Sequence, residues 1–281
     1  MSKTVVFGDM HNRDYIVRDL FRQIGLMDDE GNRAEGFHTI QLGDLLSLGY
    51  GEQEAEFLKW VRPFIDVQLI GNHELPVFTP YPENVLFWGW DDRDRVAEQM
   101  VRSEHRVARM HDDPNLWVPA THVGDWLITH AGLSVQGQKE LGIGKTAKEY
   151  ATILNEMWTE HITERTAEPI FLSAAQHVGG IFWIRLEYLR AGYRKDVHVP
   201  QIVGHTGFDH NQKFAPPALQ NRDGNLIGID TPGSCCALIT EDGGKTWDMV
   251  TSRYETSYGD NRERGKVFEW KNATKVPTKL V

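Results

Sequence analysis

The sequence predicts an α/β fold whose parallel strands carry their carboxyl ends to one edge, and three observations predict it. Strand-length apolar runs alternate with helix-period segments over residues 4–70. Five such runs, at 4–7, 38–42, 67–70, 126–129 and 201–203, are each followed by glycine or by a charged or histidine residue. No internal repeat or low-complexity linker interrupts the chain, so one domain is the better count.

The elements follow in order. Between the first two runs, Ile16, Val17, Leu20, Phe21 and Ile24 recur at helical spacing, with Asn12 as N-cap and Gly25 as stop. Between the second and third, Ala55, Leu58 and Val61 do the same, and Pro63 ends that helix. Strand, helix, strand, helix, strand implies parallel strands, and open α/β sheets bind ligands at the carboxyl ends of such strands. Residues 76–120 are rich in aromatics and charge, which predicts irregular structure with one helix. The stretch 145–195 is mostly helical in pattern. After it, "LIGIDT", "CCALIT" and "TWDMVT" combine β-branched residues with glycine-rich separators and predict an antiparallel meander. A catalytic domain over 1–258 would leave 259–281 as a polar tail or edge element.

Composition excludes several classes. At 281 residues and 40% hydrophobic, the chain can bury a substantial core. Its 40 acids against 30 bases give a charge of −10, which disfavours non-specific duplex nucleic acid and anionic lipid. Cys235 and Cys236 are adjacent, where an ordinary disulfide would be strained, so no disulfide framework is expected. With no basic-then-apolar leader and no run near ~18 apolar residues, the expected location is cytoplasmic and no membrane partner is expected. The sequon at 272–274 then carries no meaning.

Chemistry-bearing residues gather at the strand ends: "FGDMH" at 7–11, "LGDLL" at 42–46, "IGNHE" at 70–74, "THAGL" at 129–133 and "VGHTG" at 203–207. A single Gly-Asp is an ordinary turn pair, and a lone histidine is an ordinary core or surface residue. Five such endings on strands that converge on one edge are a ligand set.

The ordered series resembles the calcineurin-like metallophosphoesterase superfamily, whose pattern runs GDxH, GDxx, GNH[DE] and then a late histidine after each of two further strands. The resemblance spans about residues 4–235. Its late pieces look most like the branch of phosphoprotein phosphatases and bacterial symmetrical dinucleoside tetraphosphatases. It implies an α/β/β/α sandwich of two central mixed sheets flanked by helices. It also implies two divalent ions, with Asp44 as the bridge, Asp9 and His11 completing the first, and Asn72, His130 and His205 completing the second. Carboxylate, amide and imidazole donors suit manganese first, with iron or zinc as alternatives. Such a pair activates a water for in-line attack on phosphorus. His73 is then the acid that protonates the leaving oxygen, and the competing assignment gives that role to Glu74. The branch with a GHxH ending is disfavoured, because Gly207 stands at its second histidine and His210 is out of register.

The chain departs from the phosphatase pattern in two places. The usual GDxxDRG reads "GDLLSLG", so Ser47 and Leu48 replace an orienting acid and a phosphate-binding arginine. The first motif has Asn12 and Arg13 after its histidine, and Arg13 is expected to restore the lost phosphate contact. A second clamp, Arg185 in "FWIRLEYL", resembles the family's other phosphate-binding arginine, and its planar guanidinium suits two parallel bonds to phosphate oxygens.

Other features are decoys. "GIGKT" at 142–146 and "GGKTW" at 243–247 lack the first glycine of a phosphate-binding loop, Asp125 is a turn residue, and the two cysteines are small core residues. The aromatics Tyr81, Phe87, Trp88 and Trp90 could stack a nucleobase, although core packing is their commoner use. The expected substrates are therefore phosphomonoesters, phosphoprotein or nucleotide, ahead of dinucleoside polyphosphates. A non-catalytic scaffold of the same fold predicts eroded ligands, whereas every ligand position here is filled.

Overall fold

The computed structural model describes residues 2–45, 51–75, 117–164, 169–172, 180–190, 198–206, 219–220, 225–230, 234–255, 268–269 and 276–278. Strands β1 (Lys3–Phe7), β2 (Phe37–Gln41), β3 (Val67–Leu69) and β4 (Trp117–Val118) run parallel to their neighbours. On the other side of β1, the strands β10 (Cys236–Thr240), β11 (Trp247–Thr251) and β14 (Val276–Thr278) add antiparallel. These seven strands form the first sheet. The second sheet holds β5 (Ala120–Val123), β6 (Trp126–Thr129), β7 (Gln201–Val203), β9 (Leu226–Gly228) and β8 (Leu219–Gln220), in that order. Here β6, β7 and β9 are parallel, and β5 and β8 are antiparallel edges. A small ribbon pairs β12 (Tyr254–Glu255) with β13 (Phe268–Glu269).

Burial on both faces explains the layering. Along β1, Val6 turns toward the second sheet, where it shares a buried cluster with Ile40, Leu69, Ile128, Ile202 and Ile227. Its neighbours Val5 and Phe7 lie in the other cluster, with α1 (Asp14–Gln23) and α2 (Gly51–Val61). Phe7 and Phe21 sit with ring centroids 5.0 Å apart. On the far side, α4 (Ala147–Glu164) packs on β5 and β6 and contributes Tyr150, Leu154 and Trp158 to the core. Helices α3 (Val135–Leu141), α5 (Pro169–Leu172) and α6 (Leu186–Arg190) complete the described α-helices. The result is the expected α/β/β/α sandwich with two mixed sheets. Among the described residues no helix is long and apolar enough to cross a membrane.

Two expectations change. Asn12 does not cap α1: it sits at φ 56°, in the turn that follows β1, and Arg13 takes the N-cap position. The late strands are not one meander. The β10–β11 hairpin joins the first sheet, while β9 lies parallel to β7 in the second. Fully buried strands look alike in sequence, so nothing local says which sheet each will join. The last residues contribute β14 at the edge of the first sheet. The helix expected within 76–120 falls largely outside the described residues, as do Ser47, Leu48, Tyr81, Phe87, Trp88, Trp90, Gly207 and His210.

Candidate metal centre

Every proposed ligand stands just past a parallel strand. Asp9 and His11 follow β1, Asp44 follows β2, Asn72 and His73 follow β3, His130 follows β6, and His205 follows β7. Among the described residues, the non-glycine residues at positive φ are His11 (45°), Asn12 (56°), Asp44 (52°) and His205 (63°). A left-handed backbone is costly for residues with a Cβ, and such strain persists only where the surroundings over-determine it. Here backbone bonds do so. The Met10 and His11 N–H groups donate to the Asp44 carbonyl at 3.1 and 2.9 Å, and the Gly204 N–H donates to the His130 carbonyl at 2.7 Å. The His205 N–H donates to Asp9 Oδ2 at 3.0 Å.

The glycine before each polar residue has a packing reason. A Cβ on Gly71 would lie 2.2 Å from Asp44 Oδ1, and one on Gly204 would lie 2.1 Å from Asp9 Oδ1. Only glycine lets these loops approach so closely.

The side chains converge. His130 Nε2 and His205 Nδ1 lie 2.9 and 2.8 Å from Asn72 Oδ1. Asp44 faces both ways: its Oδ1 is 3.5 Å from His130 Nε2, and its Oδ2 is 3.8 Å from His11 Nε2 and 3.7 Å from His73 Nε2. The His11 and His73 rings meet edge-on at 4.8 Å. Three groups offer ligand atoms all within 4.8 Å of one another: His11, Asp44 and His73; Asp44, His130 and His205; and Asp9, His11 and Asp230.

Charge is concentrated where water is scarce. Burial first, then repulsion from Asp230 and Asp44, pushes the Asp9 carboxyl well above the usual carboxylate range. Burial and then the Glu74 charge do the same to Asp44, and burial raises Asp230 to about 6. The imidazoles move the other way. Burial holds His130 well below its ordinary value and brings His205 down to about 4, with His73 adding to the effect. Near neutral pH both rings are therefore neutral and offer lone pairs.

Comparisons with known proteins bear on the fold. No protein-family model and no curated protein matches the sequence. Among solved structures, a cold-active protein tyrosine phosphatase superposes with a TM-score of 0.58 at 18% identity, over 89% of this chain and 76% of that one. The cold-active protein-tyrosine phosphatase of a psychrophilic Shewanella species gives 0.57 at 17%, over 89% and 77%. At such identity the likeness is one of fold. The chain has the metallophosphoesterase fold.

Within this metallophosphoesterase fold, the residues present fit bound cations. The Asp9 Oδ1 atom is buried without a hydrogen-bond partner. His130 Nδ1 faces the Leu42 carbonyl at 2.9 Å and must donate to it, which leaves an Nε2 lone pair aimed at Asn72 Oδ1 and Asp44 Oδ1. Acceptors facing acceptors need a cation between them. Turning the Asn72 amide over would supply a donor but would leave the Asp44 oxygen facing the same lone pair.

The remaining expected residues fall in different places. Glu74 is fully buried, and its Oε2 accepts from the Asp44 and Gly71 N–H groups at 2.8 and 2.9 Å, so it ties the second and third loops together. Arg185 is exposed at the start of α6, and its charge reaches His205. Arg13 turns toward the chain: its Nη1 donates to the carbonyls of Ser234 at 2.7 Å and Asp9 at 3.4 Å. Of the decoys, Thr146 in "GIGKT" starts α4 through a reciprocal pair with Glu149, the Thr146 N–H donating at 2.7 Å and the Glu149 N–H donating back at 3.2 Å. "GGKTW" is the β10–β11 turn, closed by Asp242. Asp125 lies in the exposed turn between β5 and β6. Both cysteines are buried with their thiols pushed up, Cys235 to about 11, which removes nucleophilic character.

Sequence reasoning missed Asp230. Its signal was a sixth strand end, "GID" at 228–230 closing β9, hidden by reading that strand into an antiparallel meander.

Proposed function

We propose that the chain is a metal-dependent phosphoester hydrolase acting on phosphomonoesters, of protein or nucleotide origin. The observation that carries this reading is the convergence of Asp9, His11, Asp44, Asn72, His130 and His205 from five strand ends, around a buried Asp9 Oδ1 with no hydrogen-bond partner and a His130 Nε2 lone pair that faces the Asn72 and Asp44 oxygens. The resemblance of its ordered strand-end motifs to the metallophosphoesterase superfamily supports it, and so does a likeness of fold to an enzyme that is a protein tyrosine phosphatase. The catalytic unit would lie within 1–258, since its ligands run from Asp9 to His205.

Two divalent ions would be held by these residues, manganese first with iron or zinc as alternatives, and when bound they supply a nucleophile at neutral pH and screen the charge that develops on phosphorus. Asp44 would be shared between the two, since its oxygens face different histidines, Oδ1 toward His130 and Oδ2 toward His11. Asp9 and His11 hold one side, and Asn72, His130 and His205 hold the other. The Leu42 carbonyl fixes the His130 tautomer so that Nε2 is the ligand atom. His73 is the general acid: its backbone N–H bonds to Asp44 Oδ1 at 3.0 Å, and its ring, 27% exposed, can reach a leaving oxygen. Arg185, exposed beside His205, grips the phosphate oxygens. Arg13 orders the first loop through the Ser234 and Asp9 carbonyls, with phosphate contact a lesser role. The buried free thiols suit a cytoplasmic setting.

The test is hydrolysis of an aryl phosphate with added manganese, beside a chelated control and His73→Ala. Activity lost in both controls is expected. Wild-type turnover that survives complete chelation would sink the reading.

A further inference from the structure

Between β9 and β10 the chain leaves the second sheet and enters the first, and Asp230 lies at that crossing. The described residues at its two ends are pinned against the first motif. A Cβ on Gly8 would lie 2.3 Å from the Ile229 carbonyl oxygen, so the two backbones touch, and the Ile229 N–H donates to the Val203 carbonyl at 2.8 Å. At the far end, Arg13 Nη1 holds the Ser234 carbonyl at 2.7 Å. Asp230 itself is buried at 7% exposure and offers a carboxylate oxygen within 4.8 Å of ligand atoms from both Asp9 and His11. Beside it, the Asp9 Oδ1 atom is buried with no hydrogen-bond partner.

We propose that Asp230 is a further metal ligand, completing with Asp9, His11 and the bridging Asp44 an oxygen-rich position that differs in chemistry from the imidazole-rich one at Asn72, His130 and His205. The inference rests on the two-ion reading above and deepens it. Three carboxylates and one imidazole make a harder donor set than one carboxylate, one amide and two imidazoles. The two positions should therefore differ in preference, the first for manganese over zinc and the second for zinc.

Calorimetric titration of the chelator-stripped full-length chain with manganese tests this, together with its melting temperature in chelator. Wild type should bind two ions, and Asp230→Asn should bind one unchanged and the other at least about tenfold more weakly. In chelator Asp230→Asn should melt at or above wild type, because it removes a like charge next to Asp9. Unchanged affinities in Asp230→Asn overturn the inference alone. So does a lowered melting temperature in chelator with normal affinities, which would make Asp230 a structural counterion for Arg13. A wild type that binds no manganese overturns the two-ion reading as well. Asp230→His gives a second handle if Asp230→Asn does not fold: a ligand role requires its weaker site to shift from manganese toward zinc, and an unshifted preference counts against it.

Discussion

The buried carboxylates of the cluster and its His130–His205 pair are suspended from different sheets and have opposite chemistry. Loops of the first sheet, with the crossing that enters it, bring together the carboxylates Asp9, Asp44 and Asp230, each buried and each pushed up in pKa. Loops of the second sheet bring His130, buried, and His205, partly buried, both pushed down in pKa. One half repels its own ionised form and the other resists protonation. Divalent cations held there would relieve the first and take up the lone pairs of the second, so one kind of occupant answers two opposite electrostatic deficits.

Breaking the element the halves share should have the largest effect. Asp44→Asn removes the bridge, and kcat/KM with an aryl phosphate is expected to fall about 10³-fold or more, with metal content by elemental analysis falling too. An activity loss under tenfold would show that Asp44 does not join the halves. His73→Ala should lower kcat about 10²–10³-fold while leaving bound metal unchanged. Glu74→Gln keeps an acceptor for the Asp44 and Gly71 N–H groups and should cost less than about tenfold. The reverse ranking would make Glu74 the acid.

Under chelation the halves should respond to pH with opposite sign. Asp230 has a folded pKa of about 6 against an ordinary 3.8, so the native state holds its proton longer than the unfolded chain and wild type loses stability as pH rises across that window. Asp230→Asn should therefore gain on wild type between those values, by up to about 3 kcal/mol. His205 falls from 6.5 to about 4, so its contribution is present above pH 6.5 and lost as pH falls through 4. His205→Gln should gain on wild type toward acid, by a smaller amount because that ring is only partly buried. Denaturant midpoints of the chelated proteins across pH 4–7 measure both, and slopes of the same sign would contradict the electrostatic contrast. The smallest effect belongs outside both halves: Thr146→Ala removes the cap of α4 and should cost about 1 kcal/mol in stability with unchanged kcat.

The strands that carry ligands, the residues at their ends and the glycines that precede them are legible along the chain. These are local properties. Apolar strand length, helical period and a polar residue at a strand's carboxyl end are all written in adjacent positions, and the close approach of loops leaves glycine as its trace at Gly71 and Gly204. Only the tertiary structure decided which sheet each late strand joined, because buried strands carry the same apolar pattern whichever partner they take. That choice put β9 beside β7, made the next residues a crossing between sheets and brought Asp230 to Asp9 across 221 positions of sequence. It also assigned the neighbours of Arg13 and Glu74: the one bonds the Ser234 carbonyl, and the other ties two loops from within the core. Charge and type are properties of a residue, whereas the partner that gives a buried charge its role is supplied by packing from remote parts of the chain.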